Sequence, residues 1–231
     1  MEEKIVEEHT KLKQGMVKVL QCVAAISSAA AVCSIPIYHT IFGLAGSLMR
    51  VVLHHIDDED IRTLKREFGS VNRALGELSR ENSQVLVAIQ KEALNSQYAS
   101  VEENLTSQFR KFMDLVEARP EHSKRKKEDF ARSYTDDLGD QNLHTLYDGV
   151  VGKPKLFSRP ILEVFLKHSG GDRRAMERLC TRLTYLFCIG LIALMGYAAV
   201  IGGNDAGLSE EWAEKMENVQ DKMQQALRMC R

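Results

Sequence analysis

Two long stretches without a single Asp, Glu, Lys or Arg limit what this 231-residue chain can become. The first covers 31 residues between Lys18 and Arg50, and the second covers 22 residues from Leu183 to Asn204. Both are too long for ordinary strands and read as helix. Each must be hidden from water. A bilayer hides about 20 apolar residues across roughly 30 Å of hydrocarbon, and a large soluble bundle hides a helix that is apolar all round at its centre. Leu183 to Ile201 meets the membrane criterion on length, while Gly190 and Gly196 lower its hydrophobicity. The first stretch makes either one generous span or two legs hinged at Pro36, Met16 to Ser34 and Ile37 to Leu53. Each leg would be about 26–28 Å long. Its small residues, from Ala24 to Ala31, suit helix–helix contact more than lipid contact.

The rest of the chain is also helical in pattern. Four prolines, 15 glycines and 6% aromatics leave little material for a sandwich or barrel. Ile5, Leu12, Val19 and Ile26 recur seven apart. After the acidic run Asp57 to Asp60, which suits a first helical turn, a heptad stripe follows through Ile61, Leu64, Phe68, Val71, Leu75, Leu78, Val85 and Ile89. A shifted stripe continues through Leu94, Tyr98, Val101, Leu105, Phe109, Phe112 and Val116. The slip between them reads as a stutter. A single helix over this range would be about 90 Å long. Asn82, on the first stripe, is a candidate register-setting polar residue or an asparagine at the edge of the seam.

Pro120 is expected to close that helix, with a charged connection over 122–132 and shorter helices near 128–138 and 141–150. Gly152-Lys153-Pro154 reads as a loop. Ser158 is expected to cap the next helix and Gly170-Gly171 to end it. An amphipathic start at Asp172 leads into the second apolar stretch. Ser209 is then expected to cap a last helix with the stripe Trp212, Met216, Val219, Met223 and Ala226.

Catalytic chemistry is not visible. Gly43-Leu44-Ala45-Gly46 lacks the lysine of a phosphate loop, and adjacent His54 and His55 would diverge on a helix. The five cysteines, an odd number without close ligand spacing, fit neither a disulfide framework nor a zinc site. No cofactor is expected, and no small-molecule substrate. A net charge of −1 argues against a nucleic-acid partner. Glu2, Glu3, Glu7 and Glu8 are unlike the basic start of a signal peptide, so a membrane-associated or cytoplasmic location is expected. The candidate membrane-contacting residues are Val23, Ile26, Ala30, Ile35, Pro36, Ile41 and Phe42 in the first stretch, and Leu186, Ile189, Leu191 and Leu194 in the second. Lys124, Arg125, Lys126 and Lys127 are candidates for lipid head-group contact, against the plainer reading of a solvated turn. Arg173, Arg174, Arg178 and Arg182 precede the second stretch and Asp205, Glu210 and Glu211 follow it. If it spans a bilayer, the preceding side is expected to be cytoplasmic.

Ser70-Val71-Asn72 through Gln97-Tyr98, Asp140-Gln141-Asn142-Leu143, Gly152-Lys153-Pro154 and the apolar helix Leu186–Ala199 resemble the rapunzel family of fish proteins. The resemblance covers most of the chain and implies an association with fin and skeletal development. Related chains are similar to cephalotoxin-like proteins, which favours a pore-former-like architecture. It supplies no functional residues.

The expected fold is all-α: a single domain over 1–231, forming an elongated bundle of long helices with coiled-coil-like packing. Its parts would be a helical hairpin over 1–119, short helices and loops over 120–171, and an apolar helix plus an amphipathic helix over 172–231. The function expected is non-enzymatic: membrane association, self-association through the heptad helices, or both. The alternative is a soluble coiled-coil scaffold with the apolar stretches in its core. Buried segments released into a bilayer, the logic of α-helical pore-forming proteins, would join the two.

Overall fold

The computed structural model describes residues 96–152, 159–203 and 205–231, together with six isolated positions between 62 and 80. The first apolar stretch, Asn82 and the acidic run at 57–60 lie outside the described residues. From residue 96 on, the described residues form six helices in order: α1 Ser96–Val116, α2 Pro120–Asp136, α3 Gln141–Val151, α4 Ile161–His168, α5 Arg173–Ile201 and α6 Asp205–Arg228. Among the described residues there is no strand.

The second apolar stretch is the centre. In α5, all eleven residues from Leu186 to Gly196 are buried, so three consecutive turns are covered on every side. Helices α1, α2, α3 and α6 pack directly on α5, and α4 rests on α3 and α6. The described helices thus form a compact bundle around one axis. The first heptad stripe, on which the expected rod chiefly rests, lies outside the described residues apart from isolated positions.

The two glycines of α5 explain how its neighbours come so close. A Cβ at Gly190 would lie 2.5 Å from Leu143 Cδ2 and 2.9 Å from Leu105 Cδ2. One at Gly196 would lie 2.5 Å from both Cδ2 and Cε2 of Phe112. Carbon atoms normally rest 3.5–4.0 Å apart. The glycines are therefore notches that receive Leu105 and Phe112 of α1 and Leu143 of α3. The shifted stripe that supplies those α1 residues is buried as its spacing requires: Tyr98, Val101, Leu105, Phe109, Phe112 and Val116 all face the core. The α6 stripe from Trp212 to Ala226 does the same.

Two helix starts differ from expectation. The charged segment after Pro120 is helix, not connection, because Pro120 occupies the first helical position, where its missing N–H costs nothing. Helix α6 begins at Asp205, so Ser209 lies inside the helix and is not its cap. Asp172 caps α5 through its side chain, accepting from the Ala175 N–H at 3.0 Å. Left-handed Gly152 and Gly202 close α3 and α5. Between α2 and α3 the turn needs two positive φ angles, at Leu138 (69°) and Gly139 (56°).

Candidate functional site

Two groups of enclosed polar side chains involve α1. Near its start, Glu102 forms an ion pair with Arg182 of α5, the two side chains being 20% and 11% exposed. The Arg182 guanidinium also lies 5.7 Å from the centre of the Tyr185 ring. Tyr98, one turn before Glu102, is fully enclosed, and burial pushes its phenol up to about 12 while the Arg182 charge opposes that shift. A phenol held that high and an arginine are both poor acid–base catalysts near neutral pH. The cluster ties α1 to the charged end of α5.

Further along α1, Gln108 is 1% exposed and donates its amide to the carbonyls of Asp137 at 3.1 Å and Gly139 at 3.0 Å, with a longer contact to Tyr134 at 3.4 Å. Asn142 of α3 donates to the same Asp137 carbonyl at 2.5 Å and accepts from Asn104 at 3.1 Å. Two side-chain amides, Gln108 and Asn142, thus satisfy carbonyls that the end of α2 and its turn leave open, and Asn104 holds Asn142 in place. The Asn104 amide, spent in this contact, also belongs to the glycosylation-like triplet Asn104-Leu105-Thr106 on a helix.

Aromatic rings fill the space beside this network. Tyr134 stacks on Tyr197 with centroids 4.3 Å apart, and Phe130 meets Tyr134, Tyr197 and Phe112 edge-on. Burial raises the Tyr134 phenol well above its ordinary range, helped by the nearby Asp140 charge. On the opposite side Trp212, fully buried in α6, contacts His144 and Tyr147 of α3, and the Lys215 ammonium sits 5.4 Å and 5.6 Å from the Tyr147 and Trp212 rings.

The structure places Leu186, Ile189, Leu191 and Leu194 in the bundle interior, at most 4% exposed. Val23, Ile26, Ala30, Ile35, Pro36, Ile41 and Phe42 lie outside the described residues. The basic run lies on α2 and is divided: Lys124 and Arg125 are exposed, Lys127 is half-buried, and Lys126 is paired with Asp114 at 3.3 Å. Of the arginines before the second stretch, Arg182 is held by Glu102, and Arg173 bonds Glu177 at 3.1 Å and the Leu227 carbonyl at 3.2 Å. Among the described residues no group of three His, Cys, Asp or Glu side chains is arranged to hold a metal. Cys180 and Cys188 are buried thiols, and burial raises that of Cys230. An apolar-floored cleft of about 210 Å³ opens between α3, α4 and α6, beside Val150, Leu162 and Met229.

Gln108, Asn142 and Glu102 escaped sequence reasoning as buried partners, and Tyr98 was read only as a residue of the apolar stripe. The usable signal was polar residues interrupting otherwise apolar, core-facing stretches.

A family model, the cephalotoxin-like middle helical domain, matches residues 55–231. Protein rapunzel of Danio rerio is 62% identical over 225 residues, covering 97% of each chain. No solved structure matches. The chain belongs to the rapunzel family and carries the cephalotoxin-like middle helical domain.

Proposed function

We propose that this chain is a non-enzymatic helical interaction protein whose second apolar stretch serves as the core of a soluble-form bundle. The burial of Leu186–Gly196 on every side carries this reading. A lipid-facing helix would have no use for notches filled by Leu105, Phe112 and Leu143. Carbonate extraction of membranes from expressing cells tests it. Release into the supernatant is the expected result, and full retention in the pellet would overturn it.

A second reading, membrane insertion through α5, draws on one observation: an 18-residue window of that helix has a mean hydropathy of 2.1. Insertion would then begin from the bundle and follow the release of a buried helix, as in α-helical pore formers. Leakage of dye from liposomes made with anionic lipid supports that route, and intact vesicles across acidic and neutral pH count against it. In this reading the exposed Lys124 and Arg125 meet the anionic surface before insertion. The role in fin and skeletal development is part of the same proposal. Its test is loss of the gene in the organism that carries it, with normal fins and skeleton as the contrary result.

A further inference from the structure

One end of the bundle is a basic pole. The end of α4, the turn over 169–172, the start of α5 and the end of α6 meet there. The Arg231 N–H donates to the Gly171 carbonyl at 2.9 Å, and the Arg173 guanidinium donates to the Leu227 carbonyl at 3.2 Å. Lys167, Arg173, Arg174, Arg178, Arg228 and Arg231 are all exposed at this end. Arg174 and Arg178 lie one turn apart on one face of α5, about 6 Å along its axis. Arg173, Arg174 and Arg231 border a shallow depression over Gly170 and Gly171, where an added Cβ would meet nothing within 4 Å. The turn is open to its surroundings.

The carboxylates at this end do not balance those cations. Asp172 is engaged in capping α5, and Glu177 is bonded to Arg173. Glu163 stands one turn before Lys167 on α4. Even with the α-carboxylate at Arg231 counted, six cations face four carboxylates. Among the described residues, Lys167, Arg174, Arg178, Arg228 and Arg231 take part in no ion pair. The whole chain carries a net charge of −1, so positive charge is concentrated here and offset elsewhere.

The residue types favour one kind of partner. Guanidinium groups dominate the pole, and their paired donors match phosphate oxygens. Met229, between these arginines in sequence, is 61% exposed. An apolar side chain among cations has a place at the boundary between head groups and acyl chains. It has none along a phosphodiester backbone, and among the described residues of this end no aromatic ring is exposed for a base to stack on.

We propose that this pole docks the intact bundle on an anionic phospholipid surface, with the arginines on head-group phosphates and Met229 at the edge of the acyl region. The inference rests on the soluble-form bundle proposed above, since only there do the ends of α4, α5 and α6 meet. No helix leaves the bundle, so the attachment is peripheral and weakened by salt.

Co-sedimentation of the full chain with vesicles tests this, using phosphatidylcholine alone or with about 30% phosphatidylserine. The wild type should pellet with the anionic vesicles at about 10 mM salt, ignore the neutral ones, and be released near 1 M. Arg174→Gln/Arg178→Gln/Arg228→Gln should bind about a hundredfold more weakly, at about fivefold for each cation lost. Met229→Gln should bind about fivefold more weakly. Failure of the wild type to bind anionic vesicles at low salt overturns the proposal, as does tighter capture by duplex DNA than by vesicles. Salt-labile binding that the triple variant keeps, or that Lys124→Gln/Arg125→Gln loses instead, overturns the pole and leaves the bundle standing. Binding that resists both salt and carbonate and releases trapped dye reports insertion of α5, and with it the failure of the bundle. Circular dichroism confirms separately that each variant is folded.

Discussion

Replacing Gly196 with alanine sets helix propensity against core packing, and the structure says which wins. In an unconstrained helix the change gains about 1 kcal/mol, because glycine has more backbone freedom to lose. A new methyl facing lipid would add to that gain, at roughly 0.8 kcal/mol per buried carbon. In the bundle the new Cβ would lie 2.5 Å from two carbons of the Phe112 ring, over 1 Å inside normal contact. Phe112 is fully buried and wedged against Phe109 at 6.3 Å and Phe130 at 6.0 Å, so the ring has nowhere to swing. Overpacking of this kind costs about 1–3 kcal/mol, against which the propensity gain is set. The upper end applies to a rigid ring, giving a net loss of about 2 kcal/mol and a Tm lower by about 4–8 °C for a chain of this size. Gly190→Ala should cost less, near 1 kcal/mol, because its nearest obstacles are the flexible Cδ2 ends of Leu143 and Leu105.

Urea unfolding is the assay, followed by far-UV circular dichroism and by fluorescence of Trp212, the chain's one tryptophan and fully buried. Coincident curves license a free energy. The rescue is Phe112→Leu in the Gly196→Ala background. The smaller side chain alone is destabilising, yet it should recover part of the alanine's cost, with a coupling of about 1–2 kcal/mol between the two sites. If Gly196→Ala is as stable as wild type or more so, α5 does not pack against Phe112 and the core-helix reasoning fails.

Three more outcomes follow from the same packing. Gln108→Leu should lose about 1–3 kcal/mol in urea unfolding, because the carbonyls of Asp137 and Gly139 lose a donor in a buried setting; an unchanged midpoint would mean that the turn is satisfied without it. Leu138→Gly should gain about 1 kcal/mol, since Leu138 pays for a φ of 69° while its side chain is 56% exposed and buries little; a loss there would refute the strain. Tyr98 keeps its proton in the folded state up to about pH 12, whereas in the unfolded chain it ionises near 10, so its contribution is intact below pH 10 and is lost as the pH rises from 10 towards 12. Tyr98→Phe should flatten part of the alkaline fall in stability, and an identical pH profile in the variant would contradict the assignment.

What the sequence revealed divides along a physical line. Local periodicity was readable: the buried faces of α1 and α6 and the ends of α3 and α5 lie where their stripes, Asp172 and Gly202 put them. Ambiguous punctuation was not. Pro120 ends helices and begins them, and the charged residues after it give no apolar stripe strong enough to decide; only Phe130 and Tyr134 among its large side chains are buried. Long-range polar pairing was invisible for a different reason. Gln108 bonds carbonyls 29 and 31 residues away, and Glu102 pairs with an arginine 80 residues away. Their place beside a core-facing stripe marks them as candidates for burial, but nothing local names the partner. Arg182 therefore read as a charge flanking an apolar span when it is half of a lock between α1 and α5.

The same reasoning explains why hydropathy alone left α5 between membrane and core. A scale that sums residues counts Gly190 and Gly196 as small penalties against insertion. In the bundle they are the reason the helix can be surrounded, because a larger residue at either place would push α1 and α3 away. The packing of α5 is therefore set as much by its neighbours Leu105, Phe112 and Leu143 as by α5 itself. It follows that withdrawing α5 from this bundle would empty both notches at once. It would also strip Glu102 from Arg182, leaving a charge within one turn of the apolar belt at Leu186. An unpaired charge so close to a hydrocarbon core is costly. A condition that drives α5 into a bilayer must therefore supply a new partner for Arg182, and an anionic head group at the membrane surface has the right chemistry.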